Sequence, residues 1–302
     1  MTTLMGTRAG ATTNRIIVNV NNANTNYIDV SKLLSQVNHR LYRQGRMYCV
    51  RVGYLGAHSG VRAATVYALP NNWAFRKGHS LAHAAFREAM KSSAISQSKS
   101  GRWSDFRIKH DLTQYSAQHE ALDAKGVTLG AAEYLYSQVA GDTGFDGSDG
   151  DGAPNIYGFH GVGNSTSGNE GVGGGYAYAT TGSFGVIYEY QKTEDTETNT
   201  PPDHDNASAY RLLDSDGDRS MANEMLKSEI GDNPPYNHED LQYQEQQFTI
   251  RFQGTGSADI ATPWIAAPCG LLKIETTEGS GTDDIFIEIM QGNYKGVLAE
   301  DM

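Results

Sequence analysis

The residues with the clearest spacing for metal chemistry are three aspartates at alternate positions, Asp214, Asp216 and Asp218. They match positions 1, 3 and 5 of a calcium-binding loop, where oxygen ligands converge on a hard cation. Arg219 replaces the glycine that an EF-hand needs at position 6, and Met225 stands at position 12, so an EF-hand is excluded. The segment stays a candidate for a structural calcium ion, with a solvated acidic loop as the alternative. No other cofactor is expected.

Two histidines, His79 and His83, are four residues apart and would share one face of a helix that begins early enough. Two imidazoles on one face can bind zinc, but no cysteine or third histidine lies nearby. A polar helix face is therefore the favoured interpretation. The other histidines, among them His110 and His160, have no recognisable partner for metal or acid–base chemistry.

The sequence carries no motif of a familiar enzyme class. The glycine-rich stretches around Gly161 and Gly171 do not fit GxGxxG, and no GxxxxGK[ST] or GxSxG is present. The chain is therefore predicted not to be an enzyme. A hydrolase stays open as a third interpretation, because 35 acidic residues make chance pairs of carboxylates inevitable.

Cations and aromatic side chains are interleaved in the first third of the chain. Single-strand binding surfaces combine phosphate neutralisation with base stacking in this way. The candidate nucleic-acid-binding residues are Arg8, Arg15, Arg40, Arg43, Arg46, Arg76, Lys77, Arg87 and Lys91. The aromatics among them are Tyr42, Trp73, Phe75, Trp103 and Phe106, for each of which a place in the core is the alternative.

Charge divides the chain into two unlike parts. Residues 1–125 carry 17 Lys+Arg and 6 Asp+Glu, whereas residues 126–302 carry 7 and 29, within a net charge of −11. The division predicts a basic surface that faces a polyanion and an acidic surface that faces solvent; the alternative is a drift of charge along the chain that the fold mixes. No apolar run approaches the length of a membrane-spanning helix, and the N-terminus lacks the apolar stretch of a secretory signal. We therefore expect no membrane insertion.

Alternating and β-branched segments predict about ten strands, separated by Gly, Asn, Asp and Pro. They are Arg15–Val20, Arg46–Leu55, Ala64–Leu69, Trp103–Lys109, Asn155–His160, Ser183–Gln191, Ser208–Leu213, Glu245–Gln253, Trp264–Glu275 and Asp284–Gln291. Helices are expected from a cap at Asp29 or Ser31 to near Gly45, over Ser80–Lys91 and, as a third possibility, over Ala131–Val139. Many strands with few helices predict an all-β fold, a two-sheet sandwich or jelly roll.

Two long segments, residues 141–182 and 192–240, are rich in glycine or acidic residues and predict surface loops. We expect residues 1–27 to form an N-terminal arm with a possible first strand, and residues 28–302 to form the main domain. Cys49 and Cys269 each lie in an apolar segment and are expected to be reduced core thiols.

Four short motifs resemble a known family of proteins. They are HRLYRQGRMY at residues 39–48, PNNWAFRKG at 70–78, WSDF at 103–106 and APCGLLKI at 267–274. Together they resemble the capsid proteins of small circular single-stranded DNA viruses, most strongly over residues 28–110 and 262–302. The long basic arm that begins many such proteins is reduced here to Arg8 and Arg15.

The resemblance implies a single jelly-roll subunit with two antiparallel Greek-key sheets. It also implies self-assembly into an icosahedral shell, the virion, around a single-stranded DNA genome, with the candidate cations facing the lumen. The two long loops would then face outward, toward a host receptor that the sequence does not identify. The runner-up is a carbohydrate- or receptor-binding β-sandwich of a viral appendage, in which Tyr176, Tyr178 and Tyr236 stack on sugars.

Overall fold

The computed structural model describes residues 12–22, 24–55, 61–92, 103–129, 133–140, 156–166, 181–194, 245–253, 260–276 and 282–302. Within these residues β-strand is the commonest secondary structure, in curled sheets that are mainly antiparallel, and helices are few. The predicted all-β class is confirmed. No helix in these ranges is long and apolar enough to cross a membrane.

The strands of the first part are β1 (Arg15–Asn21), β2 (Thr25–Asp29), β3 (Arg46–Tyr54), β4 (Val61–Ala68), β5 (Lys109–Asp111), β6 (Gln138–Ala140), β7 (Ile156–Val162) and β8 (Thr181–Gly185). Those of the second part are β9 (Gln246–Gln253), β10 (Ile260–Ala261), β11 (Ile265–Pro268), β12 (Leu271–Thr276), β13 (Thr282–Ile289), β14 (Gln291–Gly292), β15 (Gly296–Val297) and β16 (Ala299–Asp301). The helices are α1 (Val30–Asn38), α2 (Trp73–Ser92), α3 (Leu112–Ser116) and α4 (Val186–Glu194).

Two antiparallel sheets form a sandwich. The first sheet has the order β1-β13-β3-β10, and β11 and β16 also pair with β3. The second sheet has the order β2-β12-β4-β9. One apolar cluster contains residues of both sheets, so the two layers bury a common core between them.

The core follows from strand alternation. Strand β1 buries Ile16, Val18 and Val20 and turns the residues between them outward. Val18 lies opposite Ile285 of β13 in the first sheet. The second sheet contributes side chains such as Ile274, which is fully buried. The interior of the sandwich is therefore filled by interlocking aliphatic side chains.

A long insertion, residues 69–245, separates β4 from β9, although these two strands pair along their whole length. Its described part holds a third sheet in which β7 pairs with β5, β6 and β8. Helices α2 and α4 pack beside this sheet on a second apolar cluster. The insertion is thus a small layer of its own on the sandwich. The prediction that residues 141–182 form a surface loop is wrong for residues 156–162, because they form β7 and pair inside the third sheet, where nearly all of them are buried.

Helix α2 carries much of the candidate chemistry, and its start is set by local sequence. The side chain of Asn72 accepts a hydrogen bond from the backbone N–H of Phe75 at 2.8 Å, which caps the helix. Within the helix, Gly78 lies against the backbone carbonyl of Val186, where a Cβ would come within 2.5 Å of the oxygen. Glycine here allows α2 and α4 to approach closely.

Most of the strongly patterned predictions are confirmed. The predicted strands at β1, β3, β4, β7, β9 and β13 are present. Helix α1 is confirmed but ends at Asn38 rather than near Gly45, because His39 adopts a left-handed conformation (φ 51°) and terminates it. Helix α2 is confirmed and begins seven residues earlier than predicted, at the Asn72 cap.

Other element predictions are wrong. The predicted strand Ser183–Gln191 is β8 followed, from Val186, by helix α4. The predicted helix Ala131–Val139 has irregular backbone at 133–137 and then enters β6. Of the predicted strand Trp103–Lys109, only Lys109 belongs to a strand.

Two further segments differ from the prediction in another way. The predicted strand Trp264–Glu275 is divided into β11 and β12 by a turn at Cys269 and Gly270, which have positive φ values of 56° and 64°. The two halves belong to different sheets. The predicted strand Ser208–Leu213 lies outside the described residues.

Candidate nucleic-acid interface

One exposed side of α2 carries four of the nine candidate cations: Arg76, Lys77, Arg87 and Lys91. At 3.6 residues per turn, these positions fall within an arc of about 100° around the helix. The opposite side packs on the third sheet through residues such as Phe75 and the half-buried Phe86. We call the four cations the basic face of α2.

The basic face is weakly neutralised by the residues around it. Lys91 pairs with Glu88 at 3.0 Å, and both side chains are largely exposed. Arg76 donates to the side-chain oxygen of Asn71 at 2.9 Å, which carries no charge. Among the described residues, neither Lys77 nor Arg87 forms an ion pair. An exposed cation without an acidic partner is free to bind phosphate.

The segment after α1 borders this face. Arg76 contacts the sulfur of Met47 at 3.8 Å, which brings α2 beside the start of β3. Arg43 is exposed and pairs with the buried carboxylate of Asp105 at 3.1 Å. Arg40, just after the α1 cap, is exposed as well. Arg43 and Arg40 can therefore extend the positive surface beyond α2.

His83 responds to these charges. Partial burial lowers the pKa of its imidazole, and the nearby cations Arg87 and Arg43 lower it further, against an opposing effect of Asp105. Arg43 and Arg87, which are far apart in sequence, both contribute to this lowering. The structure thus joins two of the predicted groups of cations into one positive region.

Other candidate residues lie elsewhere or are already engaged. Arg46 is half-buried, pairs with Asp301 at 2.8 Å and stacks over Tyr294 at 3.9 Å, so its charge is used within the fold. Arg15 lies over the ring of Phe286 on the outward side of the first sheet. Arg8 and the three candidate calcium ligands, Asp214, Asp216 and Asp218, lie outside the described residues, so these predictions stay predictions.

The aromatic candidates divide between core and surface. Tyr42, Phe75 and Phe106 are buried, which makes the structural interpretation correct for them. Trp73 and Trp103 are 50% and 47% exposed. Trp73 begins α2 next to the basic face, with its edge against the ring of Tyr190. An exposed indole beside cations is a platform on which a base can stack.

The paired histidines of α2 do share a face, as their spacing predicts. Both rings pack against Phe106, with centroid distances of 5.4 Å for His79 and 5.2 Å for His83. Burial, together with a smaller effect of His83, lowers the pKa of His79 to about 4. His79 is buried and is therefore explained as core packing, whereas His83 is exposed, as a polar helix face predicts.

Sequence reasoning missed a second group of polar residues, because its members are far apart in the chain. His110, judged to lack partners, lies 3.4 Å from a carboxylate oxygen of Glu245 and 3.7 Å from one of Asp111. Lys273 pairs with both carboxylates. Only the fold brings these residues together.

The two cysteines are free, as predicted; Cys269 is fully buried and Cys49 is half-buried on β3. Burial raises the pKa of both thiols. Neither is therefore poised as a thiolate nucleophile.

Comparisons of the chain with protein-family models, with curated proteins and with solved structures gave no match.

Proposed function

We propose that this chain is a viral capsid protein, a jelly-roll subunit that assembles into an icosahedral shell around a single-stranded DNA genome. The observation that carries the proposal is the order of the sandwich strands. In chain order the eight strands are β1, β2, β3, β4, β9, the interrupted strand β10 and β11, β12 and β13. One sheet then has the order 1-8-3-6 and the other the order 2-7-4-5.

In this numbering each strand n pairs with strand 9 − n: first with eighth, second with seventh, third with sixth and fourth with fifth. That order arises when one long antiparallel hairpin is rolled into two sheets, and it contains two Greek keys. It therefore supports the jelly roll over other sandwiches. Jelly rolls occur in capsid proteins, lectins and cupins.

The packed interior favours a structural role over a small-molecule site within the sandwich. Side chains such as Val52, Val66 and Ile274 meet between the sheets and are fully buried. An enzyme or binding protein that uses the inside of such a fold needs a cavity there. Among the described residues, the basic face of α2 and the polar cluster around His110 both lie outside the sandwich interior.

The basic face of α2 supports a polyanionic partner rather than a sugar. Four exposed cations with an exposed tryptophan suit phosphates and bases. The acidic excess of residues 126–302 suits a surface turned away from that polyanion. The tyrosines of the sugar-binding alternative, Tyr176, Tyr178 and Tyr236, lie outside the described residues.

The test is expression of the chain alone, followed by size-exclusion light scattering, negative-stain microscopy and the ratio of absorbance at the nucleic-acid and protein maxima. The proposal predicts closed shells of uniform diameter that co-purify with nucleic acid. A monomer or small oligomer that never closes over a range of salt and calcium concentrations contradicts it. Binding of that species to specific sugars on a glycan array would establish the alternative.

A further inference from the structure

The buried polar residues that join the insertion to the sandwich include side chains of the types that bind metal ions. Lys273 of β12 lies opposite Tyr27 of β2 and Tyr67 of β4. Its neighbours in the strand, Leu272 and Ile274, point into the core, so Lys273 points outward. Strand β5 of the insertion brings His110 and Asp111 to this outward face. Glu245 arrives just before β9.

Three potential ligand atoms converge there: Nδ1 of His110 and one carboxylate oxygen each from Asp111 and Glu245. Nδ1 lies 3.4 Å from Oε1 of Glu245 and 3.7 Å from Oδ2 of Asp111, and all three atoms lie within 4.8 Å of one another. Zinc bonds of about 2.0–2.2 Å in a tetrahedron set neighbouring ligand atoms about 3.3–3.6 Å apart. The separations around Nδ1 are close to that spacing.

Two of these atoms lack the hydrogen bonds that burial demands. The side chain of His110 is 1% exposed, and neither of its ring nitrogens has a hydrogen-bond partner among the described residues. Oε1 of Glu245 is buried and has none either. A buried polar atom without a hydrogen-bond partner destabilises the fold. An ion between Nδ1 and Oε1 would satisfy both.

The other oxygens of the carboxylates are already held in place. Oδ1 of Asp111 accepts from the backbone N–H of Gln114 at 2.7 Å and from the hydroxyl of Tyr27 at 3.0 Å. Oε2 of Glu245 pairs with Lys273 at 3.1 Å. Outer partners of this kind orient the ligands of metal sites.

We propose that His110, Asp111 and Glu245 bind a divalent cation of the zinc class, independently of the capsid proposal. One imidazole nitrogen and two carboxylate oxygens suit zinc, with a fourth position open to water. The carboxylates and Lys273 together carry one negative charge, which a divalent cation reverses. The ion fastens β5 of the insertion to the chain entering β9 of the sandwich.

The test uses the full chain, stripped with a chelator and then titrated with Zn²⁺ by calorimetry. His110→Asn and Glu245→Gln each remove one ligand, and His39→Asn removes an exposed histidine outside the cluster as the matched control. The proposal predicts one bound Zn²⁺ fewer per chain in both ligand variants than in the wild type and His39→Asn. Circular dichroism checks that each variant folds.

Hydrogen exchange of the wild-type chain gives a second readout that needs no variant. Zn²⁺ should slow exchange in residues 109–114 and 245–253 and leave residues 30–38 unchanged. Equal Zn²⁺ stoichiometry in all four folded proteins, or no protection of β5 and β9 by Zn²⁺, overturns the proposal. In that case the cluster is an ion-pair contact alone.

Discussion

Neutralising the basic face of α2 should weaken single-stranded DNA binding and flatten its dependence on salt. The perturbation is the fourfold variant Arg76→Gln, Lys77→Gln, Arg87→Gln and Lys91→Gln. All four side chains are exposed, so glutamine removes charge without opening the core. The effect should therefore appear in binding and not in the free energy of unfolding.

The size of the effect follows from the number of cations. Each phosphate contact on a single strand contributes about −0.7 to the slope of log affinity against log salt. Four contacts give a slope of about −2.8, so a fourfold rise in salt costs about 50-fold in affinity through this face alone. If only Lys77 and Arg87, which lack ion pairs among the described residues, contact phosphate, the contribution falls to about −1.4.

The assay is fluorescence anisotropy of a labelled oligothymidine with unassembled subunits, between about 50 and about 200 mM salt, the range over which such contacts are lost. The control variant is Lys125→Gln with Arg251→Gln, which removes two exposed cations outside α2. We expect the wild type and the control to share a steep slope and the fourfold variant to lose between about 1.4 and 2.8 of it. Equal slopes in the wild type and the fourfold variant would refute this role for the face.

Two further predictions concern stability. Burial lowers the pKa of both His79 and His160 from 6.5 to about 4. Because the unfolded chain binds these protons first, neither histidine costs stability above pH 6.5, and each destabilises the fold progressively as the pH falls toward 4. Urea unfolding should show a loss of about 2 kcal/mol per histidine between pH 7.5 and 5, reduced in His160→Gln; a flat profile contradicts the assignment. Ile274→Ala, in the packed interior, should lower the free energy of unfolding by about 2–5 kcal/mol, whereas Thr249→Ala, exposed on β9, should change it by less than about 0.5 kcal/mol. Similar losses at the two sites would show that the sandwich interior is not the core.

The sandwich was largely predictable because its strands carry a strict alternation that the core imposes. Strands β1, β3 and β13 show it plainly. Strand β2 was missed because its sequence TNYID is mostly polar. Its last residue, Asp29, caps α1 with its side chain, which predicts a helix start rather than a strand. The turn at Gly270 was hidden because the strands on both sides are buried, so the apolar run continues through it.

The insertion was less predictable, because its elements are decided by contacts between distant segments. The alternating sequence at Val186 predicts a strand, yet the chain forms α4, which packs against α2 at Gly78. The basic face was predicted only in part: the cations were identified from the sequence, but their common side required the helix to begin at Trp73, after the Asn72 cap. The cluster around His110 had no sequence signal, because Glu245 and Lys273 join it from elsewhere in the chain.

The measurement that tests the central claim most directly is an electron cryomicroscopy reconstruction of particles assembled from this chain. The capsid proposal predicts a closed icosahedral shell in which the basic face of α2 lines the lumen, next to density for nucleic acid. A shell with Arg76, Lys77, Arg87 and Lys91 on its outer surface would contradict the assignment of the interface. Failure of the chain to form closed particles under any condition would contradict the capsid function itself.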